Sequence, residues 1–351
     1  MDFREILLEN CRRYPKLRGR DLIKLLYQYS FGCEHLAADE KTVLARIISE
    51  AESIKNGTPE AVEELGDYCR VGLSYLDCGL SAETLARIFC LSARPDEDGE
   101  KKLRRGIEII TELAESWLLP ISHDEWSAAL YEWKSANYPA VHHSEKYREI
   151  YLPTYRVVAK RYADILPLLA RIDSMLGVGE VRLAIEGGSA SGKSTLGKML
   201  AEIYGCTLFH MDDFFLTPNM RTAERLAEAG GNVDRKRFLA EVLTPISRGE
   251  EIAYRRYDCS TGEIMPPESK KPTRLIVTEG AYSLHPDLAD FYNLKVFLDV
   301  TPELQRARIL KRNSPEMAER HFSTWIPMEE RYFDAFDIRE LCDMTLTAEG
   351  I

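Results

Sequence analysis

The sequence predicts two domains, an all-helical one followed by an α/β domain whose parallel sheet carries a phosphate-binding loop. Apolar residues recur at helical spacing up to about residue 176, and farther along the chain short apolar runs alternate with helical segments. Residues 187–194 read Gly-Gly-Ser-Ala-Ser-Gly-Lys-Ser, a complete G-x-x-x-x-G-K-S/T motif between a strand pattern and a helix pattern. Because Gly177 and Gly179 break the helical pattern, we assign residues 1–176 to the helical domain and residues 180–351 to the α/β domain.

Composition limits the class of protein. The 351 residues are 45% apolar, which is enough for a core in each domain. The net charge of −11 argues against a nucleic-acid partner. We expect no membrane partner and a cytoplasmic location, because the chain has neither a long apolar stretch nor a secretory pattern at its start. Eight cysteines form no C-x-x-C pair, so no zinc site is predicted.

Apolar spacing justifies the elements of the helical domain. It predicts helices over Asp21 to Phe31, Thr42 to Ile54, Ala82 to Leu91, Lys101 to Trp117, Glu125 to Trp133 and Pro153 to Met175. Ser122-x-x-Glu125 is typical of a capping box at the start of the fifth helix. His142 and His143 are interpreted as surface residues. No catalytic spacing is evident, so substrate binding, dimerisation (a homo-oligomer) and regulation all stay open as roles for this domain.

The chemistry of phosphate binding explains the residue types in this motif. Gly187 and Gly192 let the backbone curl so that successive N–H groups point at phosphate oxygens. Lys193 can reach the β- and γ-phosphates, and the hydroxyl of Ser194 can bind Mg²⁺, while the following helix directs the positive end of its dipole at the anion. The motif therefore predicts a bound nucleoside triphosphate. The residues assigned to it are Gly187, Gly188, Ser189, Ala190, Ser191, Gly192, Lys193, Ser194 and Thr195.

Apolar runs predict the strands of the second domain. They are Val181 to Glu186, Thr207 to His210, Arg274 to Thr278, Leu294 to Asp299 and Met344 to Thr347. The second run leads into Asp212 and Asp213, at the edge of the sheet where ligands of open α/β folds bind. An aspartate there can accept the proton of an attacking hydroxyl, although both could instead cap a turn. The third run leads into Glu279, whose carboxylate can reach Mg²⁺ directly or through water.

Several motifs occur in a fixed order along the second domain. They are residues 187–194, Asp212-Asp213-Phe214-Phe215, Gly231-Asn232-Val233-Asp234, Tyr257-Asp258 and Glu279-Gly280. This order resembles the uridine kinase and phosphoribulokinase family over residues 181 to about 348. The resemblance implies a P-loop kinase domain that uses ATP and Mg²⁺. It also implies that Asp212 is the catalytic base, that Asp213 is a second acidic group and that Asp234 holds substrate hydroxyls.

The resemblance further implies a lid over the transferring phosphoryl group. The helix after Pro302 carries Arg306, Arg308 and Arg312, and cations there would offset charge that develops in the transition state. Arg308 and Arg312 lie one turn apart on one face, so we assign the role to this pair.

The acceptor is predicted only as a chemical class. Tyr257 and Asp258 belong to an aromatic and charged cluster suited to a polar ring or sugar, but the segment after them lacks the histidine found in uridine and cytidine kinases. The sequence therefore predicts an ATP-dependent phosphotransferase that acts on a hydroxyl of a nucleoside-like or sugar-like small molecule. The alternatives are a kinase of another polyol or vitamin-like alcohol and a non-catalytic, nucleotide-dependent regulatory protein.

Overall fold

The computed structural model describes residues 2–36, 39–52 and 62–350. It divides the chain into two compact units, Met1–Arg171 and Ile172–Ile351. The end of the helix predicted from Thr42 to Ile54 lies outside the described residues. Among the described helices, none is both long enough and apolar enough to cross a membrane.

The N-terminal unit is mainly helical. The α-helices that begin in it are α1 (Phe3–Arg13), α2 (Gly19–Phe31), α3 (Glu40–Glu52), α4 (Ala82–Ser92), α5 (Gly99–Glu115), α6 (His123–Ser135), α7 (Glu145–Tyr151), α8 (Lys160–Ala163) and α9 (Leu166–Leu176). Short 3-10 helices lie at Glu34–Leu36 and Leu73–Cys78. Ser122 caps α6 by accepting the Glu125 N–H at 3.1 Å. The side chain of Glu125 instead accepts the backbone N–H of Gly19 at 3.2 Å, and this second hydrogen bond joins α6 to the start of α2.

The N-terminal unit also contains a small antiparallel sheet, which corrects the prediction of an all-helical domain. Its strands are β1 (Glu63–Leu65), β2 (Tyr68–Gly72) and β3 (Tyr155–Ala159), in that order. β3 lies within the segment predicted as one helix from Pro153 to Met175. Val157 and Val158 are buried in it, and Val158 pairs with Cys69. Two consecutive β-branched residues fit a strand once a partner is present, and that partner lies far away in the sequence.

His143 is buried, contrary to the predicted surface position. Its Nδ1 lies 3.0 Å from a carboxylate oxygen of Asp21, and its Nε2 lies 2.7 Å from the hydroxyl of Tyr155. Because the carboxylate of Asp21 can only accept, Nδ1 donates and Nε2 accepts. Asp21 also accepts the Ser144 N–H and O–H at 2.9 and 2.7 Å. This network joins α2 to β3 and to the start of α7.

The C-terminal unit is built on a five-stranded parallel sheet, which confirms the predicted α/β class. The strands are β4 (Val181–Glu186), β5 (Thr207–His210), β10 (Leu275–Glu279), β11 (Leu294–Asp299) and β12 (Met344–Thr347). Their order across the sheet is β12-β11-β4-β10-β5, and each neighbouring pair is parallel. All five correspond to predicted apolar runs. The register aligns Glu279 with Ile185 on one side and with His210 on the other.

Shorter elements complete the unit. Its α-helices are α10 (Lys193–Tyr204), α11 (Ala223–Ala227), α12 (Arg235–Phe238), α13 (Thr244–Ser247), α14 (Pro286–Ala289), α15 (Pro302–Arg312), α16 (Pro315–Arg320), α17 (Ile326–Ala335) and α18 (Ile338–Leu341). Two antiparallel ribbons pair β6 (Ile252–Tyr254) with β9 (Glu268–Lys270) and β7 (Tyr257–Asp258) with β8 (Glu263–Ile264). Short 3-10 helices lie at Met211–Phe214, Pro218–Met220 and Ala348–Gly350, and π-helical segments at Leu239–Leu243 and His321–Trp325.

Candidate functional site

A cleft of about 950 Å³ lies at the carboxyl edge of the parallel sheet. β4, β10 and β5 are neighbours there, so the residues that follow these strands come together although they are far apart in sequence. The positions predicted for catalysis and for Mg²⁺ all line this cleft: Lys193, Ser194, Asp212, Glu279, Arg308 and Arg312.

The loop between β4 and α10 has an anion-binding backbone. It turns through three residues with positive φ, Gly187 at 148°, Ala190 at 58° and Gly192 at 107°. A Cβ atom at Gly187 would lie 2.5 Å from the carbonyl oxygen of Leu298, so only glycine fits that position. α10 begins directly after the loop, and its free N–H groups and the positive end of its dipole face the loop. Such a backbone can hold phosphate oxygens.

Lys193 lies across this loop. Its Nζ donates a hydrogen bond to the carbonyl oxygen of Gly188 at 2.8 Å. Other residues of the predicted nucleotide site that line the cleft are Ser189, Ala190, Gly192, Ser194 and Thr195. The side chain of Ser191 is fully buried instead, and its hydroxyl makes no hydrogen bond within the described residues.

Oxygen atoms suited to Mg²⁺ meet between α10 and β10. The Ser194 hydroxyl donates to Glu279 Oε1 at 2.9 Å, and His210 Nδ1 bonds the same oxygen. This contact and the negative charge of Glu279 raise the pKa of His210. Among the described residues no cluster of three or more His, Cys, Asp or Glu forms a metal cage. A hydroxyl and one carboxylate still fit Mg²⁺, which takes most of its other oxygens from water and phosphate. The sequence reasoning missed His210, which the strand register places beside Glu279.

Asp212 is exposed to the cleft. The cleft walls remove much of the water around its carboxylate and so raise its pKa, while the charge of Lys193 opposes this change. A carboxylate with a raised pKa is a stronger proton acceptor, as a general base requires. Asp213 faces elsewhere: it does not line the cleft, burial raises its pKa, and its Oδ2 makes no hydrogen bond within the described residues.

The other residues predicted to bind the acceptor do not line the cleft. Asp234 caps α12 by accepting the Arg237 N–H at 3.1 Å. Asp258 accepts the Ser260 N–H and O–H at 2.7 and 2.6 Å. Short acidic side chains readily form such local bonds, which sequence spacing cannot distinguish from ligand contacts. Tyr257 is buried and meets the cleft only indirectly, because its hydroxyl accepts a hydrogen bond from a cleft residue.

That residue is Arg221, whose Nη2 donates to Tyr257 at 3.1 Å. Arg221 lines the cleft, and so do Phe215, Asn232 and Cys259. The sequence reasoning assigned none of these four a role. Phe215 and Asn232 belong to two of the motifs that carry the family resemblance, residues 212–215 and 231–234, and this membership could have marked them as site residues.

The arginines of α15 separate into two groups. Arg308 Nη1 donates to the carbonyl oxygens of Ala190 and Ser191 at 3.2 and 3.1 Å, so it binds the phosphate loop itself. Arg312 lines the cleft one turn farther on. Arg306 packs over the ring of Phe322 at 4.7 Å instead. Lys311 and Arg320 add further positive charge to the cleft, which the sequence reasoning missed.

The fold and the site define the class of the C-terminal unit: it is a P-loop nucleotide-binding domain with a carboxylate in the same cleft as the phosphate loop. Residues 183–325 match the model of the Phosphoribulokinase / Uridine kinase family, which confirms the resemblance predicted for this part of the chain.

Curated relatives agree with this match. The phosphoribulokinase of Synechocystis sp. is 26% identical over 145 residues, which cover 40% of this chain and 43% of the relative. Uridine kinase-like protein 3 of Arabidopsis thaliana is 24% identical over 144 residues, covering 38% of this chain and 31% of the relative. The match thus spans less than half the length of either relative. A solved structure described as a possible uridine kinase from Bacillus stearothermophilus is 18% identical, with 51% of this chain and 98% of that chain covered and a TM-score of 0.39.

Proposed function

We propose that this protein is an ATP-dependent phosphotransferase that moves the γ-phosphoryl group of ATP to a hydroxyl of a nucleoside-like or sugar-like small molecule. One observation carries the proposal: the carboxylate of Asp212 faces the same cleft as Lys193 and the phosphate loop. A domain that only binds a nucleotide does not need a proton acceptor beside its phosphate loop, and water as the attacking group does not need the aromatic and polar side chains of Phe215, Arg221 and Asn232 that line the same cleft. The names of the two curated relatives, a phosphoribulokinase and a uridine kinase-like protein, support an acceptor of this class.

Each residue has a role in this proposal. The loop N–H groups and Lys193 hold the β- and γ-phosphates, while Ser194 and Glu279 hold Mg²⁺. The ion, when bound, neutralises charge on the phosphate oxygens. Asp212 accepts the proton of the acceptor hydroxyl as that oxygen attacks the γ-phosphorus, and ADP leaves.

Two further parts complete the proposed site. Arg308 and Arg312 stabilise the charge that develops on the transferring group. Phe215 offers the acceptor an aromatic face, and Asn232 and Arg221 offer it hydrogen-bonding groups. We also propose that residues 180–351 form the catalytic domain of a cytoplasmic enzyme and that residues 1–176 form a separate domain.

A coupled assay of ADP release tests the proposal. Nucleosides, ribosides, sugars, polyols and vitamin-like alcohols are offered in turn, with ATP affinity measured separately by calorimetry. We expect one class to raise turnover far above the background hydrolysis of ATP. Asp212→Asn is expected to lower kcat about 10²- to 10⁴-fold while ATP still binds, since only proton transfer is removed. Lys193→Ala is expected to abolish both turnover and tight ATP binding.

Asp290→Asn is the matched control, because this aspartate is exposed and lies outside the cleft. It is expected to leave kcat within about twofold, as surface substitutions usually do. If ATP binds and no acceptor raises turnover, the phosphotransferase proposal is wrong and the regulatory alternative is favoured. If only a polyol or vitamin-like alcohol is phosphorylated, the reaction stands and the acceptor class changes.

A further inference from the structure

Two side chains of α17 contact the phosphate loop and the strand residue that precedes it. Glu329 accepts two hydrogen bonds from Ser189, the backbone N–H at Oε2 and the hydroxyl at Oε1, both at 2.7 Å. Tyr332 donates its hydroxyl to Glu186 Oε2 at 3.0 Å, and Glu186 directly precedes the first glycine of the loop. The two side chains are three residues apart and therefore lie on one face of the helix.

The second contact is anchored in a buried hydrogen-bonded group. Glu186 is fully buried, which raises its pKa to about 7. Its carboxylate also accepts the backbone N–H groups of Gly187, Tyr282 and Leu284, at 3.0, 3.2 and 3.1 Å. These bonds fix the end of β4 against the segment that follows β10. The start of the loop therefore has little freedom to move.

The contact with Ser189 is strong enough to orient the loop. Glu329 is only 7% exposed, and a buried carboxylate is costly unless its oxygens are paired. Two short bonds to one residue supply that pairing and set the direction of the Ser189 backbone. The neighbouring carbonyl, that of Gly188, accepts the bond from Lys193. The orientation of this part of the backbone thus also bears on the position of the lysine.

The helix that holds the loop also forms a wall of the cleft. α16, the π-helical segment and α17 run continuously from Pro315 to Ala335. Met317, Arg320 and Trp325 of this run line the cleft, as does Glu329. π-helical turns inside α-helices occur often at functional sites. The two contacts therefore connect this wall of the cleft to the loop.

We propose that Glu329 is a positioning residue for phosphoryl transfer, which fixes the first half of the phosphate loop and couples it to the cleft wall formed by α16 and α17. Glu329 lies beyond residues 183–325, so the family match does not extend to it. The expected effect on kcat rests on the proposed function, whereas the expected effect on nucleotide affinity requires only that the loop binds nucleotide phosphates.

The test compares Glu329→Ala with Glu329→Gln. Glutamine can still accept the Ser189 N–H through its oxygen and can donate to the Ser189 hydroxyl, so it keeps both contacts without the charge. Alanine loses both. Affinities for ADP and ATP are measured by calorimetry. KM and kcat are measured with the acceptor that the ADP-release assay identifies. Glu330→Ala is the matched control, because the next residue on the same helix is about half exposed and pairs with Arg339.

We expect Glu329→Ala to weaken both ADP and ATP binding by about 10- to 100-fold and to lower kcat, because both hydrogen bonds that orient the loop are lost. KM for the acceptor should stay within about twofold, since no acceptor contact is removed. Glu329→Gln and Glu330→Ala should remain within about threefold of the unmodified protein. Combining Glu329→Ala with Ser189→Ala should add little, because the two residues share one interaction.

Other outcomes would overturn the inference. Tighter ATP binding in Glu329→Ala would mean that the carboxylate competes with phosphate. If Glu329→Gln lost as much nucleotide affinity as Glu329→Ala, the negative charge of Glu329, and not its two hydrogen bonds, would be responsible for the effect. A lower melting temperature with unchanged affinities would mean a purely structural role. The calorimetric result does not depend on any acceptor, so failure of the proposed phosphotransferase activity is recognised separately.

Discussion

Acidification from about pH 7.5 to about pH 5 is expected to destabilise the N-terminal unit through His143. The imidazole is buried, stacked on the ring of Tyr147 at 4.0 Å, and hydrogen-bonded at both nitrogens. Burial is the main reason that its pKa falls from 6.5 to about 4, and the nearby charges of Arg70 and Lys24 lower it further. The carboxylate of Asp21 favours the protonated form but does not outweigh burial.

Whether acid stabilises or destabilises the unit depends on which state, folded or unfolded, binds the extra proton. Between pH 6.5 and pH 4 the unfolded chain protonates this histidine and the folded unit does not, so stability decreases as the pH falls. The difference of about 2.5 pH units is equivalent to about 3 kcal/mol, of which about 2 kcal/mol is lost by pH 5. Most domains have only about 5 to 15 kcal/mol, so this loss is measurable.

Urea unfolding followed by tryptophan fluorescence is a suitable assay. The chain has four tryptophans, and the three at positions 117, 126 and 133 lie in the N-terminal unit. The fourth, Trp325, lies in the C-terminal unit, so the measurements are made in a Trp325→Phe background. This confines the signal to the N-terminal unit, which matters because burial also lowers the pKa of His285 in the C-terminal unit to about 4. His143→Gln is expected to be less stable near neutral pH but to lose most of the dependence between pH 7 and pH 5. His123→Gln, at an exposed histidine, should keep it.

The reasoning is refuted if His143→Gln and the unmodified protein show the same dependence on pH. If the variant does not fold, the titration of the His143 ring in the unmodified protein decides the question by NMR. A midpoint near 6.5 would show that burial does not control this imidazole.

Three further predictions concern the cleft. Gly187→Ala places a Cβ atom 2.5 Å from the carbonyl oxygen of Leu298, at a φ of 148° that alanine rarely adopts. Calorimetry should therefore show at least a tenfold loss of ATP affinity, and thermal unfolding a destabilisation of about 1–3 kcal/mol. Unchanged ATP binding would contradict the loop geometry. Ser194→Ala should raise the Mg²⁺ concentration for half-maximal turnover about tenfold, because one oxygen ligand is lost; an unaltered requirement would remove Ser194 from the metal site. Arg308→Ala should lower kcat about 10²- to 10³-fold, because a cation at the phosphate loop is lost. Arg306→Ala, on the same helix, should lower it less than about twofold. Equal effects would show that Arg308 has no specific role in stabilising the transferring group.

The phosphate-loop domain was predictable because its signals are local. The residues of the loop are contiguous, and the roles of its glycines, of Lys193 and of Ser194 toward a phosphate could be argued without the rest of the chain. The three central strands, β4, β10 and β11, are mostly buried and appear as apolar runs, so they could be found without knowing their order. The edge strands β5 and β12 are only partly buried and were found as shorter strand-like segments. Glu279 at the end of β10 and Asp212 shortly after β5 could be placed at the ligand edge because that edge lies at the carboxyl ends of the strands.

Local reasoning failed where a partner lies far away in the sequence. β3 forms against β2, about ninety residues earlier, and helical spacing gave no sign of that pairing. His143 looked like a surface residue because Asp21, whose carboxylate pairs with the buried ring, belongs to α2, far away in the sequence. In contrast, Asp234 and Asp258 were assigned to the acceptor although their carboxylates bond within a few residues of themselves.

The sequence by itself determined the α/β class of the second unit, the phosphate loop and the acids at two strand ends, since backbone conformation and strand burial are encoded over short segments. Only the tertiary structure decided which side chains meet the loop. Glu329 contacts Ser189 across 140 residues, and Arg308 contacts Ala190 across 118. Such contacts depend on how helices pack against the sheet, and a hydrogen bond needs atoms placed within about half an ångström. No periodicity along the chain carries that information.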